Sequence, residues 1–557
     1  MRKMRRFASA ALASVMALSL VACGSSGADN SGAANGAVDT ANHDTTVAEQ
    51  TTAQADVKAE KVTVQLNSLD DLNPFLGDYG ETISGTVRDE IFQKLMNRDG
   101  FGGELKPVLM ESYEKESEEV YHCKLYDGIV DSAGNSITAS DVKFSIEEYQ
   151  RQGLMNDANN VKEVIVDSDL EFTLVFNDNP SANTFEGAVC AFNIVSEESF
   201  NASPDKMVTT PIASGPYKVE EGSFSSGIGM TLVLNENYWE ADRPELIDLP
   251  VEMQNVEVID CKVISESSQI TMALQTDTID YSESVSAQDL VNFQDGGAYA
   301  EKYNVYSSAK NNANVLAFNS SEESPLHDPK LREAIMYAID SDFIAGAING
   351  GGNVVSYVLG GPNYDDYNSE WENLVPEYNL EKAKELMAES EYPDGVELTL
   401  ICHTLDPALA DIGEILLEEL APLGITLNVS SMELGTYLTY ESDPTKWDFT
   451  IANFSNPSGA IVNVWGIYFD GSKTGTGLTK NFVDDSKLQE LIQTAELAET
   501  HTQDNVDAAW EYIMENHWIY GLFLPLQNYV YNSELITAFG FNNTGSVVPG
   551  GCTYNVQ

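Results

Sequence analysis

Positive charge is scarce in this chain. Its 557 residues hold 29 Lys plus Arg against 88 Asp plus Glu, a formal net charge of −59, so the phosphate contacts that drive nucleic-acid binding have too few donors, and no nucleic-acid partner is expected. The acids run along the whole chain without a long block, which reads as a solvated surface more than as a patch for cationic partners. Cysteine is also sparse. The six stand at wide spacings with no Cys-x-x-Cys, and neither a zinc site nor a disulfide framework follows from them. His122 beside Cys123 and His403 beside Cys402 are the nearest approach to a ligand pair, but neighbours in a strand point to opposite faces, so no metal is expected. Catalytic signatures are missing as well: there is no His-Glu-x-x-His and no Gly-x-Ser-x-Gly, and Gly471-Ser-Lys-Thr-Gly-Thr-Gly477 lacks the Gly-Lys-Ser/Thr ending of a phosphate loop. Acid pairs are too common here for any one to mark a general acid or base. No enzyme and no cofactor is expected.

What is present begins at the N-terminus. Arg2, Lys3, Arg5 and Arg6 precede an apolar run over 7–22 that is too short and too rich in small residues for a comfortable bilayer span, which is the pattern of an export signal. Its end, Leu20-Val-Ala-Cys23, resembles the bacterial lipoprotein box. That resemblance implies cleavage before Cys23 and acylation of Cys23, which would anchor the chain without spanning the membrane. Residues 24–57 contain three valines and no aromatic residue; such a stretch cannot bury a core and reads as a tether.

Length and a 43% hydrophobic content demand two or three domains. Lys61-Val-Thr-Val-Gln-Leu66 alternates as a strand, and Ile83, Val87, Ile91 and Leu95 mark a helix face. Thr138 with Asp141 three residues on makes a capping box ahead of Val142, Ile146 and Tyr149. Asp328 and Pro329 open a second amphipathic helix. Strand 396–401, a helix with Leu409, Ile412, Leu416 and Leu420, the stop at Gly424 and strand 425–429 form the clearest βαβ unit, which demands parallel strands. Strand 447–452 should join that sheet, and ligands of open α/β sheets lie beyond strand carboxyl ends, so Asn453-Phe454-Ser455-Asn456-Pro457 is a site candidate.

Leu72-Asn-Pro74, Asp127-Gly128, Ile137-Thr-Ala-Ser-Asp-Val-Lys-Phe144, Ser214-Gly-Pro-Tyr217 and Asn235-Glu-Asn-Tyr-Trp239 occur in order, followed by Ala317-Phe-Asn319, Asp328-Pro-Lys-Leu-Arg-Glu-Ala334, Tyr337-Ala-Ile-Asp340 and Asn379-Leu-Glu-Lys-Ala-Lys-Glu-Leu386. Over about 61–526 the chain thereby resembles family 5 of the extracellular solute-binding proteins, the oligopeptide, dipeptide and nickel receptors of ATP-driven (ABC) importers. The resemblance implies a two-lobed α/β fold of the periplasmic-binding-protein kind, type II with an extra subdomain and mixed sheets flanked by helices. The expected division is a signal peptide over 1–22, a lipidated tether over 23–58, a first lobe over 59–310 with an inserted subdomain near 85–205, a second lobe over 311–524, and a return to the first lobe over 525–557. It also implies a monomer on the outer face of a bacterial cell membrane, held there through the lipid anchor only, which captures a small solute, an oligopeptide or dipeptide first, and hands it to permease subunits. A sensor or adhesion lipoprotein on the same fold, or a receptor for a non-peptide solute, stays open.

For the site, the family implies that the turn Asp78-Tyr79-Gly80-Glu81 pairs its backbone with an extended peptide. Tyr357, Tyr364 and Trp465 are aromatic candidates for the cleft wall. In peptide receptors of the family the loop corresponding to 453–457 usually carries an aspartate for the ligand's α-ammonium group, and here it has no acid. A buried ammonium needs a counter-charge, so either another acid such as Asp78 or Glu81 substitutes or the ligand lacks a free cationic N-terminus there. On that basis N-acetylation of a peptide ligand is expected to cost less than about a factor of ten.

Overall fold

The computed structural model describes residues 54–55, 57–75, 85–153, 155–453, 459–473 and 483–556. Two large sheets organise them. In the first lobe seven strands run in the order Tyr303–Ala309, Leu526–Asn532, Tyr281–Ser282, Ala59–Leu66, Val256–Val263, Gly229–Leu234 and Tyr217–Val219. Ala59–Leu66 pairs in parallel with Val256–Val263, and its alternating sequence belies its position: Thr63 and Gln65 are buried along with Val62 and Val64. The strand is central, and Gln65 is satisfied inside, its Oε1 accepting from the Ser282 hydroxyl at 2.9 Å. Slightly ahead of it, Ala55 N–H donates to Asn255 Oδ1 at 2.7 Å.

Between the first strand and Gly229–Leu234 the chain builds a separate four-stranded antiparallel sheet, Met110–Lys115, Val120–Leu125, Glu171–Phe176 and Val161–Val166. The helix Ala139–Gln152 packs beside it, opened by the expected capping box, with Thr138 N–H donating to Asp141 Oδ2 at 2.8 Å, and closed by Gly153 at φ 67°. The apolar side chains of this sheet run without a break into those of the seven-stranded sheet, so the insertion and the first lobe share one core.

The second lobe has its own core and a six-stranded sheet in the order Val354–Val355, Ile519–Leu524, Asn314–Phe318, Phe449–Ala452, Val396–His403 and Ile425–Met432. Its βαβ unit follows the sequence reading. Val396–His403 and Ile425–Met432 pair in parallel, the helix Ala408–Leu420 crosses between them, and Gly424 turns at φ 77°. Asp328 caps the helix Pro329–Ala338, its carboxylate accepting from Lys330 N–H at 2.9 Å.

Chain passes between the two sheets along paired antiparallel strands. Tyr303–Ala309 lies against Leu526–Asn532 in one sheet, and Asn314–Phe318 against Ile519–Leu524 in the other. Pro525 stands where the returning strand changes sheets; it has no N–H to give to a ladder, while its carbonyl accepts from Lys310 N–H at 2.8 Å. The crossing is therefore a short break in two continuous strands, with one backbone hydrogen bond at its centre. Among the described residues no helix is long and apolar enough to cross a membrane.

Candidate functional site

A cavity of about 550 Å³ opens at this crossing, within the range of small-molecule sites. The first lobe supplies one wall, with Glu283, Tyr306, Ser308, Gln527, Tyr529 and Phe541. The second lobe supplies Asn311, Asn312 and Asn363, and the turn Asp99-Gly100-Phe101 of the insertion closes a third side. Alternation explains why Tyr306 and Ser308 share the cavity, since residues two apart on a strand face the same way. Strand pairing then sets Tyr529 opposite Tyr306.

Three rings form the apolar part of the wall. Tyr306 and Tyr529 have centroids 5.7 Å apart, Tyr529 and Phe541 5.8 Å, and Tyr306 and Phe541 6.0 Å, all within the span of favourable aromatic pairs. Around them stand amides. Gln527 Nε2 donates to the backbone carbonyl of Glu283 at 2.7 Å, and Asn312 Nδ2 to that of Asn453 at 3.0 Å. Asn311 Oδ1 accepts from Asn363 N–H at 3.1 Å, whereas its buried Nδ2 has no acceptor. Asp99 accepts from Lys106 Nζ at 3.2 Å, which answers its charge. Half-buried Glu283 has a weak partner in the Tyr281 hydroxyl at 3.4 Å; burial pushes its carboxyl above the ordinary range, and the Lys310 ammonium opposes that.

The lobes also meet away from the crossing. Ala182 N–H donates to the Glu496 carbonyl at 2.6 Å and Ala498 N–H to the Pro180 carbonyl at 3.0 Å, so Ser181 and Leu497 form an antiparallel bridge between the insertion and the second lobe. Asn463 Nδ2 adds a bond to the Ala182 carbonyl at 2.8 Å. Phe101 meets Tyr364 edge to face at 5.5 Å.

The candidates named from sequence fare differently. Cys23, Asp78, Tyr79, Gly80, Glu81, Phe454, Ser455 and Asn456 lie outside the described residues. Asn453 is tied to the cavity through Asn312. Tyr364 is buried and meets Phe101 of the cavity wall. Tyr357 packs its ring on Tyr520 at 5.8 Å and does not line the cavity. Trp465 departs furthest from the expected placement: it is 0% exposed in the second-lobe core, stacked on Trp510 at 4.9 Å and edge-on to Trp371 at 5.1 Å, with its Nε1–H donating to the Leu359 carbonyl at 2.8 Å. It is a packing residue in this structure. Glu283, Tyr306, Tyr529 and Asn311 line the cavity without having been singled out; the one sequence signal available was the expected return strand, which carries Tyr529.

Among the described residues, no group of three or more His, Cys, Asp or Glu side chains could hold a metal ion. The five described cysteines, Cys123, Cys190, Cys261, Cys402 and Cys552, are free and buried.

Comparison with known proteins agrees with this architecture. The family model for bacterial extracellular solute-binding proteins, family 5 (middle), matches residues 104–476. The oligopeptide-binding protein AppA of Bacillus subtilis is 22% identical over 463 residues, covering 75% of this chain and 80% of its own. The heme-binding protein A of Haemophilus influenzae is 23% identical over 238 residues, covering 42% of this chain and only 40% of its own. The solved structure of the ABC transporter substrate binding protein CtaP from Listeria monocytogenes aligns with TM-score 0.74 at 17% identity, over 89% of this chain and 99% of that one, a likeness that shows the two-lobed fold. The chain belongs to family 5 of the bacterial extracellular solute-binding proteins.

Proposed function

We propose that the protein is a lipid-anchored receptor that captures a small solute, an oligopeptide or dipeptide first, between its two lobes and delivers it to the permease of an ABC importer. One observation carries this reading: the 550 Å³ cavity sits where the chain crosses between two separately cored sheets and is lined from both sides. A ligand there contacts both lobes only when they are together, and that differential contact is what a closing hinge requires. The names of the relatives support peptide as solute and an ABC transporter as partner. Acylation at Cys23 accounts for retention at the cell surface, and the first-lobe core begins well after it. No catalytic step is involved, and peptide released from the site should be chemically unchanged. Native mass spectrometry of protein purified from its own host medium identifies the solute. Small-angle scattering with and without it then tests closure: a smaller radius of gyration is expected, and an unchanged one in the presence of bound solute overturns the hinge mechanism.

A further inference from the structure

Behind the cavity wall lies a buried pair of side chains that does not itself line the cavity. Asn542 is 1% exposed and Asp89 is 4% exposed. Asn542 Nδ2 donates to Asp89 Oδ2 at 2.9 Å, across 453 residues of sequence. Asp89 sits on the helix Gly85–Ile91, and the Lys94 ammonium stands 3.4 Å from its other oxygen. The opposite end of the Asn542 side chain builds a turn. Its Oδ1 accepts from Thr544 N–H at 3.0 Å, from the Thr544 hydroxyl at 2.9 Å and from Ser546 N–H at 2.9 Å, and the Asn542 N–H donates to the Ser546 carbonyl at 3.0 Å. Phe541, Thr544, Gly545 and Ser546 of this turn line the cavity. The Gly545 carbonyl also accepts from the Tyr529 hydroxyl at 3.2 Å, so the turn steadies a second ring of the wall. Helix and turn approach closely: a Cβ at Gly85 would stand 3.3 Å from Asn542 Nδ2 and 3.2 Å from Ser546 Oγ.

One amide thus joins two jobs. Its oxygen gathers the donors of the turn, and its nitrogen ties that turn to a helix distant in sequence. A buried amide that loses its acceptor is costly, so the turn is held where Asn542 meets Asp89. We propose that Asn542 is a positioning residue for solute capture, with Asp89 as its anchor: the pair fixes the turn 541–546, and with it the Phe541 ring and the Tyr529 hydroxyl, before solute arrives. A wall held ready spares the solute the cost of ordering it. The inference rests on the receptor reading and adds to it two residues that act on the solute only through their neighbours.

The test uses Asn542→Asp, Asp89→Asn and the two together. Asn542→Asp keeps the acceptor that the turn needs but sets two buried carboxylates against each other, whereas the double exchange returns one donor and one acceptor to the pair with their direction reversed. Two quantities are read: hydrogen exchange over 541–546 in solute-free protein, and retention of an equimolar tripeptide library by native mass spectrometry. Asn542→Asp is expected to speed exchange over the turn and to weaken retention by about tenfold. The double exchange should bring both back to within about threefold of wild type, and Asp89→Asn should stay near wild type, since an amide oxygen at that position still accepts from Asn542. Tyr529→Phe, which cuts the tie to Gly545, should speed exchange over the turn and weaken retention in wild type, and should add little in Asn542→Asp, where the turn has already moved; it also carries the test by itself if Asn542→Asp does not fold. Unchanged exchange in these variants, faster exchange with unchanged retention, or losses of retention that simply add, each overturn the positioning role while leaving the receptor reading standing. Retention of no tripeptide by wild-type protein overturns the peptide reading and this inference with it.

Discussion

The Arg98 guanidinium reaches across the cleft to Asp365, Nη2 to Oδ2 at 3.2 Å. Arg98 belongs to the insertion and is 7% exposed on its side chain, while Asp365 belongs to the second lobe and is 44% exposed. Arg98 is also fixed from its own side, its Nη1 donating to the Gly103 carbonyl at 2.9 Å. The pair is thus half wet, and solvent screening limits it to about 0–1 kcal/mol. Its effect falls on the balance between joined and separated lobes more than on folding. Asp365→Asn should move the unliganded protein toward the separated state by a few-fold in population, with little change in melting temperature, and the effect should shrink at high salt. Interlobe fluorescence energy transfer reads the shift; no change at low ionic strength would show the pair to be idle.

The backbone bridge at Ser181 and Leu497 offers a sharper test of lobe motion. Opposed residues of an antiparallel bridge have Cα atoms about 4.5–5.5 Å apart, within the reach of a disulfide. The five described native cysteines are all buried and compete little for oxidation. Ser181→Cys with Leu497→Cys should cross-link under mild oxidation and slow both entry and exit of solute by well over tenfold, with the rates restored by reductant. Unaltered kinetics in a fully cross-linked sample would mean that solute passes without separation of the lobes at this edge.

Trp465 tests packing against binding. Its ring lies between Trp371 and Trp510 at zero exposure, so Trp465→Ala should cost about 3–5 kcal/mol of stability and weaken solute binding only as far as the lobe itself loosens. Chemical denaturation gives the first quantity and calorimetry at a temperature where the variant is folded gives the second. A large loss of affinity with an unmoved unfolding midpoint would return Trp465 to the cleft.

The same residue shows how far the sequence could be read. In Ile461–Phe469 every residue but Asn463 is apolar or glycine, and a helix that is apolar all round is a buried one, so the core placement of Trp465 was available from its neighbours. Caps and turns were legible because their chemistry is local: Thr138 with Asp141, Asp328 with Pro329, and Gly424 act within four residues of themselves. The βαβ unit was legible because its period changes from two to 3.6 and back within one stretch. The cavity was not, since its wall is assembled from segments near 99, 283, 306–312, 363 and 527–546. Nothing in the sequence near Glu283 separates it from the other 87 acids, and its place on the cavity wall depends on the pairing of Tyr281–Ser282 with Leu526–Asn532.

The proposed anchor is expected to be separable from the fold. The described structure starts at Gln54 and the first-lobe strand at Ala59, so Cys23→Ala should leave thermal unfolding unchanged while abolishing lipid labelling and releasing or failing to process the protein. Equal membrane retention of the variant would remove the anchor from the functional reading.

Three buried acids of the first lobe should make its stability depend on pH. Glu90 is 0% exposed, with Oε1 accepting from Gly550 N–H at 2.6 Å and Oε2 without a partner, and burial raises its carboxyl well above the ordinary range. Glu252 accepts from the N–H groups of Asp248 and Leu249 at 3.1 and 3.0 Å, and burial followed by repulsion from Glu240 raises it too. Glu240 accepts from the Tyr238 hydroxyl and from Gln93 Nε2 at 3.1 Å; burial pushes it up to about 8, against the pull of those two hydrogen bonds and of Arg243. For a carboxyl raised on folding the sign is fixed. Between the unfolded value of 4.5 and about 8 the folded chain keeps a proton that the unfolded chain has lost, so the stabilisation is complete below the lower value and declines through that window. Glu240 and Glu252 interact and titrate as a pair, which makes a difference measurement the right one. Across urea unfolding from pH 4.5 to 8.5, the stability of wild type minus that of Glu240→Gln should fall steadily and then level off. A flat difference would show that Glu240 is already ionised at pH 5, with its charge balanced inside the fold.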